Sequence, residues 1–257
     1  MLLAIDAGNT NTVFSIFRDE TCVGTWRCAT NGKRTADEYA VWLSQLMELQ
    51  GLKRSDITGS IIATVVPDTR FNLIQLCRRY FDGYPLMIGE EGVDIGTKPL
   101  VDKPQEVGAD RLVNSFAAHE RFGGPLVVID FGTATTFDVV DSDGNYRGGV
   151  IAPGINLSLE ALYMAAAALP RVDIKAPPQV IGRDTVSCMQ SGVFWGYVAM
   201  IEGLVRRIQT EYGEPLKVIA TGGLAPLFAE ATDTIDHTDG MLTLRGLMLI
   251  YRRNRKV

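Results

Sequence analysis

The chain predicts an α/β protein built as two related domains, and three observations carry that expectation. A short signature occurs twice, as Asp6-Ala7-Gly8-Asn9-Thr10 and as Asp130-Phe131-Gly132-Thr133-Ala134-Thr135, each time after an apolar run, residues 2–5 and 126–129. Apolar runs bounded by Gly and polar residues read as buried strands, so each Asp emerges at a strand end. In both copies a glycine, Gly24 or Gly148, follows the Asp by 18 positions. Finally, Ile61-Ile62-Ala63-Thr64-Val65-Val66-Pro67 is echoed by Val218-Ile219-Ala220-Thr221-Gly222-Gly223, 55 and 88 positions after the respective Asp, so the second half carries an insertion of 33 residues. Repeats in the same order imply an internal duplication. The domains are expected at 1–122 and 123–257, with the last helix able to pack back on the first domain.

Element by element, the first signature leads into a hairpin, Val13 to Phe17 and Cys22-Val23 around the turn Arg18-Asp19-Glu20. Thr35 with Glu38 is a capping-box pattern opening an amphipathic helix to about Gln50, closed by Gly51. A strand at 61–66 precedes a helix from Pro67 to about Phe81, then a loop-rich segment, 89–107, and a helix to about Phe122. The second hairpin joins Thr136 to Val140 with Tyr146-Arg147 through 141–145, and a helix is expected over 155–168. After an irregular Pro-marked connection come a long helix from Thr185 to Tyr212, a strand at 217–221, a helix near Ala225 and a last helix from Met241 to Arg253.

Composition sets bounds. With 257 residues, 46% of them hydrophobic, the chain has material for real cores. A net charge of −5 gives no general attraction to nucleic acid or to anionic membranes, and the basic run 252–256 reads as a solvated helix end. Cys22, Cys28, Cys77 and Cys188 form no C-x-x-C pair and read as free thiols. Only His119 and His237 are present, which argues against a His-rich zinc site or a His-based triad. The apolar start is too short for a secretory leader, and no run approaches a membrane span. A cytoplasmic protein is expected.

Glycine lets a backbone turn approach a bulky anion, while Asn and Thr supply donors. Two such turns with an Asp each suit a nucleoside triphosphate and its metal. Asp6 and Asp130 are read as carboxylates flanking a Mg²⁺–phosphate complex, because Mg²⁺ binds through few carboxylates plus substrate phosphates; as plain turn formers they would need no ligand. Asn9, Thr10, Asn11 and Thr12 either contact phosphate or pair within the hairpin. Thr133 is placed like Asn9. Gly222-Gly223, where the first half has Val65-Val66, marks either close approach by the adenosine part of a nucleotide or a tight turn. Asp110 either caps the following helix or does chemistry. The small residues Ser191, Gly192, Gly196 and Gly203 are costly in a helix and suggest close packing with another helix, such as one from a second subunit.

D-x-G-N-T, G-A-D-R (Gly108 to Arg111), D-x-G-T-A-T and G-G-x-x-x-P-G (Gly148 to Gly154) together resemble the type III pantothenate kinases, of the acetate and sugar kinase, heat-shock ATPase and actin superfamily. The resemblance covers nearly the whole chain. It implies two ribonuclease-H-like domains with a cleft between them, a homodimer, and transfer of the ATP γ-phosphoryl group to the primary hydroxyl of pantothenate. On that resemblance Asp6, Ala7, Gly8, Asn9, Thr10, Asn11, Thr12 and Val13 form the ATP phosphate loop, with Thr133 a further ATP contact. Gly108, Ala109, Asp110 and Arg111 form the pantothenate site, with Asp110 as general base and Arg111 on the substrate carboxylate, keeping Asp110 ionised. Thr185 is a further pantothenate contact, and Asp130 holds a monovalent cation, K⁺ or NH₄⁺, beside Mg²⁺. Many members carry Tyr where this chain has Val101, so a hydrogen bond to substrate is lost there. The rival readings are another kinase of the superfamily, disfavoured by G-A-D-R and the short length, and a nucleotide-binding regulator, which would not need Asp110.

Overall fold

The computed structural model describes residues 1–81, 83–165 and 169–255. In chain order the first elements are strands β1 (Leu2–Ala7), β2 (Asn11–Arg18) and β3 (Thr21–Ala29), then helix α1 (Ala36–Leu49), β4 (Gly59–Thr64), α2 (Pro67–Tyr80), β5 (Leu86–Met87) and α3 (Ala109–Phe122). There follow β6 (Leu126–Phe131), β7 (Ala134–Val140), β8 (Tyr146–Pro153), α4 (Ile155–Ala165), α5 (Thr185–Tyr212), β9 (Lys217–Gly222), α6 (Ala225–Ala229), β10 (His237–Thr238) and α7 (Leu242–Asn254). Of the helix expected over 155–168, the last three residues lie outside the described ones. The contacts divide the chain into two units: Met1–Arg121 with the segment from Met241, and Phe122–Gly240.

In the first unit the strand order is β3-β2-β1-β4-β5, with β1 antiparallel to β2 and parallel to β4. Alternation along β1 explains the two-sided core. Leu3, Ile5 and Ala7 pack with Tyr39, Leu43 and Met47 of α1 and Leu73, Leu76 and Cys77 of α2. Leu2 and Ala4 point to the other face, against Val113 and Phe116 of α3 and Leu244, Leu247 and Met248 of α7. Burial pushes the Cys77 thiol up to about 11, so it stays a neutral core residue. The expected capping box forms: Thr35 Oγ1 accepts from the Glu38 N–H, and Glu38 accepts from Thr35 N–H.

The second unit has the order β8-β7-β6-β9-β10, the same order and the same strand senses. Val127, Ile129 and Phe131 of β6 pack with Phe194, Tyr197, Val198 and Ile201 of α5 and with Phe228. Helix α5 begins with Asp184 as its N-cap, in a capping box with Ser187, and ends at Gly213, whose φ of 93° suits the left-handed C-terminal position. Four strands differ from the sequence expectation. β3 and β8 run far beyond the short strands expected there, and the two-residue β5 and β10, each added parallel to a longer neighbour, had no sequence signal of their own.

The shared 18-residue spacing has a structural cause. Asp6 pairs with Val13 but Asp130 pairs with Thr136, so the first turn is one residue longer. The difference is offset in the next hairpin, where the equivalent pairs Phe17–Cys22 and Val140–Tyr146 enclose one residue more in the second unit. Gly24 and Gly148 then fall at the same β-bulge, opposite Ile16 and Val139. The third echo is offset by one position from its sequence alignment. Asp6 pairs with Ala63 and Asp130 with Thr221, so Gly222 and Gly223 correspond to Thr64 and Val65, not to Val65 and Val66.

Candidate active site

Strand β1 ends at Ala7 because the Gly8 N–H turns to the Asn11 carbonyl, at 3.0 Å, closing a three-residue connection Gly8-Asn9-Thr10. Asp6 is half-buried at that strand end and Asn9, Thr10 and Asn11 are exposed, whereas Thr12 is fully buried. The partner of this turn is Thr30, just past β3, which the sequence reading passed over. Its hydroxyl donates to the Gly8 carbonyl at 2.6 Å, its N–H donates to the Thr10 carbonyl at 2.9 Å, and its Oγ1 lies 3.0 Å from that of Thr12. Thr12 is thus a hairpin-pairing residue within this unit, and Val13 continues the strand opposite Asp6.

On the other side of the strand end, the Val65 N–H donates to the Ala7 carbonyl at 3.2 Å. Val65 and Asp110 both border Gly108. Helix α3 opens at Ala109, so Asp110 stands within its first turn, not ahead of it as a cap, and the Gly108 carbonyl accepts from Arg111 and Leu112. Asp110 Oδ1 accepts from the Arg111 N–H at 2.8 Å. A Cβ placed on Gly108 would stand 2.6 Å from Asp110 Oδ1 and 3.6 Å from Val65 Cγ1. Gly108 therefore makes room for the Asp110 carboxylate itself. Burial pushes the Asp110 carboxyl above its ordinary value, although the Arg111 backbone N–H and guanidinium both pull it down. Desolvation thus outweighs the neighbouring cation, while Arg111 acts in the expected direction, favouring the ionised carboxylate. Arg111 is half-buried; so is Val101, in the irregular stretch before α3.

In the second unit the corresponding connection is only Gly132-Thr133, with the Gly132 N–H donating to the Ala134 carbonyl at 3.1 Å. The Gly154 N–H donates to the Thr133 carbonyl at 3.1 Å, the counterpart of the Thr30–Thr10 bond, so Thr133 stands where Thr10 does, not Asn9. Gly154 is obligatory there: a Cβ would lie 2.3 Å from the Thr133 oxygen. Gly222, at a φ of 92°, would place a Cβ within 2.6 Å of the Phe131 backbone, so the fold alone explains its lack of a side chain. Gly223 differs, with nothing within 4 Å. Asp130 is half-buried at the end of β6, and buried Asp138 accepts from Thr136 Oγ1 at 3.0 Å.

Thr185 begins α5 and borders a groove of about 890 Å³ between α4 and α5, lined largely by apolar groups including Leu162, Met189 and Val193. Gly192 and Gly196 face open space on that helix, while Ser191 turns inward and donates to the Val180 carbonyl. Among the described residues no three His, Cys, Asp or Glu side chains cluster to hold a metal, and no helix is long and apolar enough to cross a membrane. A divalent ion would fit here only through phosphate oxygens plus one or two carboxylates.

The sequence model of the type III pantothenate kinases matches residues 2–207. A type III pantothenate kinase of Paramagnetospirillum magneticum is 65% identical over 254 residues, 99% of this chain and 98% of the relative. One from Rhodospirillum rubrum is 63% identical over 255 residues, covering 99% of each. Among solved structures, the activator of the 2-hydroxyisocaproyl-CoA dehydratase from Clostridium difficile, with bound ADPNP, superposes with a TM-score of 0.59 at 12% identity, over 100% of this chain and 98% of that one. That last likeness is one of fold alone, a mixed α/β arrangement.

Proposed function

The chain belongs to the type III pantothenate kinase family, and from that premise we propose how its residues divide the work of phosphoryl transfer. The reaction moves the γ-phosphoryl group of ATP, accompanied by a divalent metal, to the primary hydroxyl of pantothenate in coenzyme A biosynthesis. Such a transfer asks little covalent chemistry of the protein; it asks for positioning and for charge to be offset.

One observation carries the division. Val65 bonds to the end of β1, where the Asp6–Gly8 turn begins, and its side chain borders the same space over Gly108 as the Asp110 carboxylate. A turn suited to phosphate and a partly desolvated base are therefore neighbours within one unit. The loop of residues 6–13 takes the phosphates, with buried Thr12 bracing it from within and Asp6 facing the Mg²⁺ that offsets their charge. Asp110 accepts the proton of the attacking hydroxyl, and its raised affinity for a proton suits a general base. Gly108 and Ala109 shape that pocket, Arg111 pairs with the pantothenate carboxylate, and Val101 offers apolar contact. From the second unit Thr133 and the open Gly223, with Gly222 as its support, serve the nucleotide, Asp130 holds K⁺ or NH₄⁺, and Thr185 contacts pantothenate. The matching order and sense of the two sheets support a duplicated ribonuclease-H-like domain. The open Gly192–Gly196 face of α5 supports a homodimer.

The test is coupled turnover of the purified protein. ADP release from MgATP should depend on pantothenate, and Asp110→Asn should abolish most of it with the fold retained. Pantothenate-dependent turnover undiminished in a folded Asp110→Asn protein would remove Asp110 from the chemistry.

A further inference from the structure

The geometry assigns Thr30 a positioning role: by holding the Gly8 and Thr10 carbonyls on one side of the first turn, it aims that turn's amides at phosphate on the other. This rests on the reading of residues 6–13 as the phosphate loop. The physical reason is peptide planarity, which sets the C=O and N–H of one trans peptide unit in opposite directions. The Gly8 carbonyl is turned to the Thr30 hydroxyl, at 2.6 Å, so the Asn9 N–H of the same unit points away from Thr30. The Thr10 carbonyl is turned to the Thr30 N–H, at 2.9 Å, so the Asn11 N–H also points away. Having given its single proton to Gly8, the Thr30 oxygen accepts from Thr12, a buried residue that fixes its rotamer. Two N–H groups of one turn, both facing away from Thr30, are donors available to an anion on that side.

The second unit supplies the control. Its shorter turn rests directly on Gly154, whose N–H reproduces the bond to Thr133 but whose missing side chain cannot reproduce the hydroxyl bond. A threonine there would drive its Cβ to 2.3 Å from the Thr133 oxygen. Only the longer first turn leaves room for a side chain, and the chain fills that room with a hydroxyl. Thr30 thus distinguishes the two otherwise equivalent turns.

The experiment compares binding of adenosine, ADP and ATP to the unmodified protein, Thr30→Val and Thr30→Ser by calorimetry, alongside KM for MgATP, KM for pantothenate and kcat. Val keeps the shape and loses the hydroxyl; Ser keeps the hydroxyl. We expect Thr30→Val to lose about tenfold in ADP and ATP affinity, the scale of one well-placed hydrogen bond, with adenosine affinity unchanged and Thr30→Ser close to the unmodified protein. KM for MgATP should rise while KM for pantothenate stays level. If Thr30→Val proves unfolded, Thr30→Ala takes its place, with the same expectation. A folded Val or Ala variant that still prefers ADP to adenosine as strongly as the unmodified protein overturns the role of Thr30 and leaves the phosphate loop standing. An unmodified protein that binds adenosine and ADP equally overturns both.

Discussion

The Asp110 carboxyl sits in the space that Gly108 leaves open, and burial raises its hold on a proton against the pull of Arg111. Two consequences can be separated. A group whose folded-state pKa is raised contributes stability that is fully present below its unfolded value and is lost as pH rises through the folded one. Asp110→Asn removes that loss, so its Tm at neutral pH should match or exceed that of the unmodified protein, and the difference should shrink toward about pH 4. Its kcat should fall by roughly 10²–10⁴-fold, the usual scale of general-base catalysis. Thermal melts at both pH values beside steady-state rates check this; a lower Tm with near-normal kcat would mean that Asp110 only braces the helix start. For the unmodified protein, kcat/KM should drop on acidification, beginning at higher pH than for an ordinary carboxylate. Asp130 gives a second prediction at this scale. If it holds a weakly hydrated cation near the phosphates, KCl and NH₄Cl should activate and NaCl should not, and Asp130→Asn should lose most of that activation. Equal rates of the unmodified protein in all three salts would sink the assignment.

At the level of elements, the two Asp-Gly turns are the same hairpin built at two lengths, and glycines decide what may approach each. Gly222 and Gly154 are set against neighbouring backbone, whereas Gly223 faces open space. Their alanine variants should therefore separate fold from ligand. Gly222→Ala, with both a positive φ and a backbone clash, should cost about 1–3 kcal/mol, or several degrees in Tm for a chain of this size. Gly223→Ala should leave Tm within experimental error but raise KM for MgATP. A Gly223→Ala protein with unchanged MgATP kinetics would remove that glycine from the nucleotide site. Helix α7 shows the same use of a small residue: Gly246 lies where a Cβ would come within 2.7 Å of Val113, letting α7 close down on α3.

For the whole molecule, the second unit exposes a run of apolar groups around α4 and α5, among them Leu157, Met164, Val180, Ile181 and Val186. Exposed apolar side chains in such number suit an interaction face, and the open glycines of α5 permit a helix to approach closely. Sedimentation at micromolar concentration should give twice the 28.1 kDa chain mass. Introducing a charge by Gly196→Glu should release monomers. A fully active unmodified monomer at that concentration would refute the dimer.

What the sequence determined alone was governed by local physics. Alternating and continuous apolar runs placed β1, β4, β6 and β9; Thr35 with Glu38 located the start of α1; and the long helix from Thr185 to Tyr212 was legible from end to end. The two Asp-Gly signatures were visible as a pair, which drew attention to Asp6 and Asp130. Tertiary structure decided what depends on neighbours remote along the chain. The strand pairing shifted the third echo by one residue, because register is set by the partner strand and not by similarity of letters. It gave β5 and β10 their existence, since two residues form a strand only when a longer one offers its edge. It made Gly108 a seat for the Asp110 carboxylate, and set burial against the pull of Arg111, because burial depends on what packs around a group. Thr30 carried no sequence signal, being one polar residue at the end of a strand. Its place beneath the first turn exists only because β3 returns alongside β2 and brings residue 30 back to residues 8 and 10.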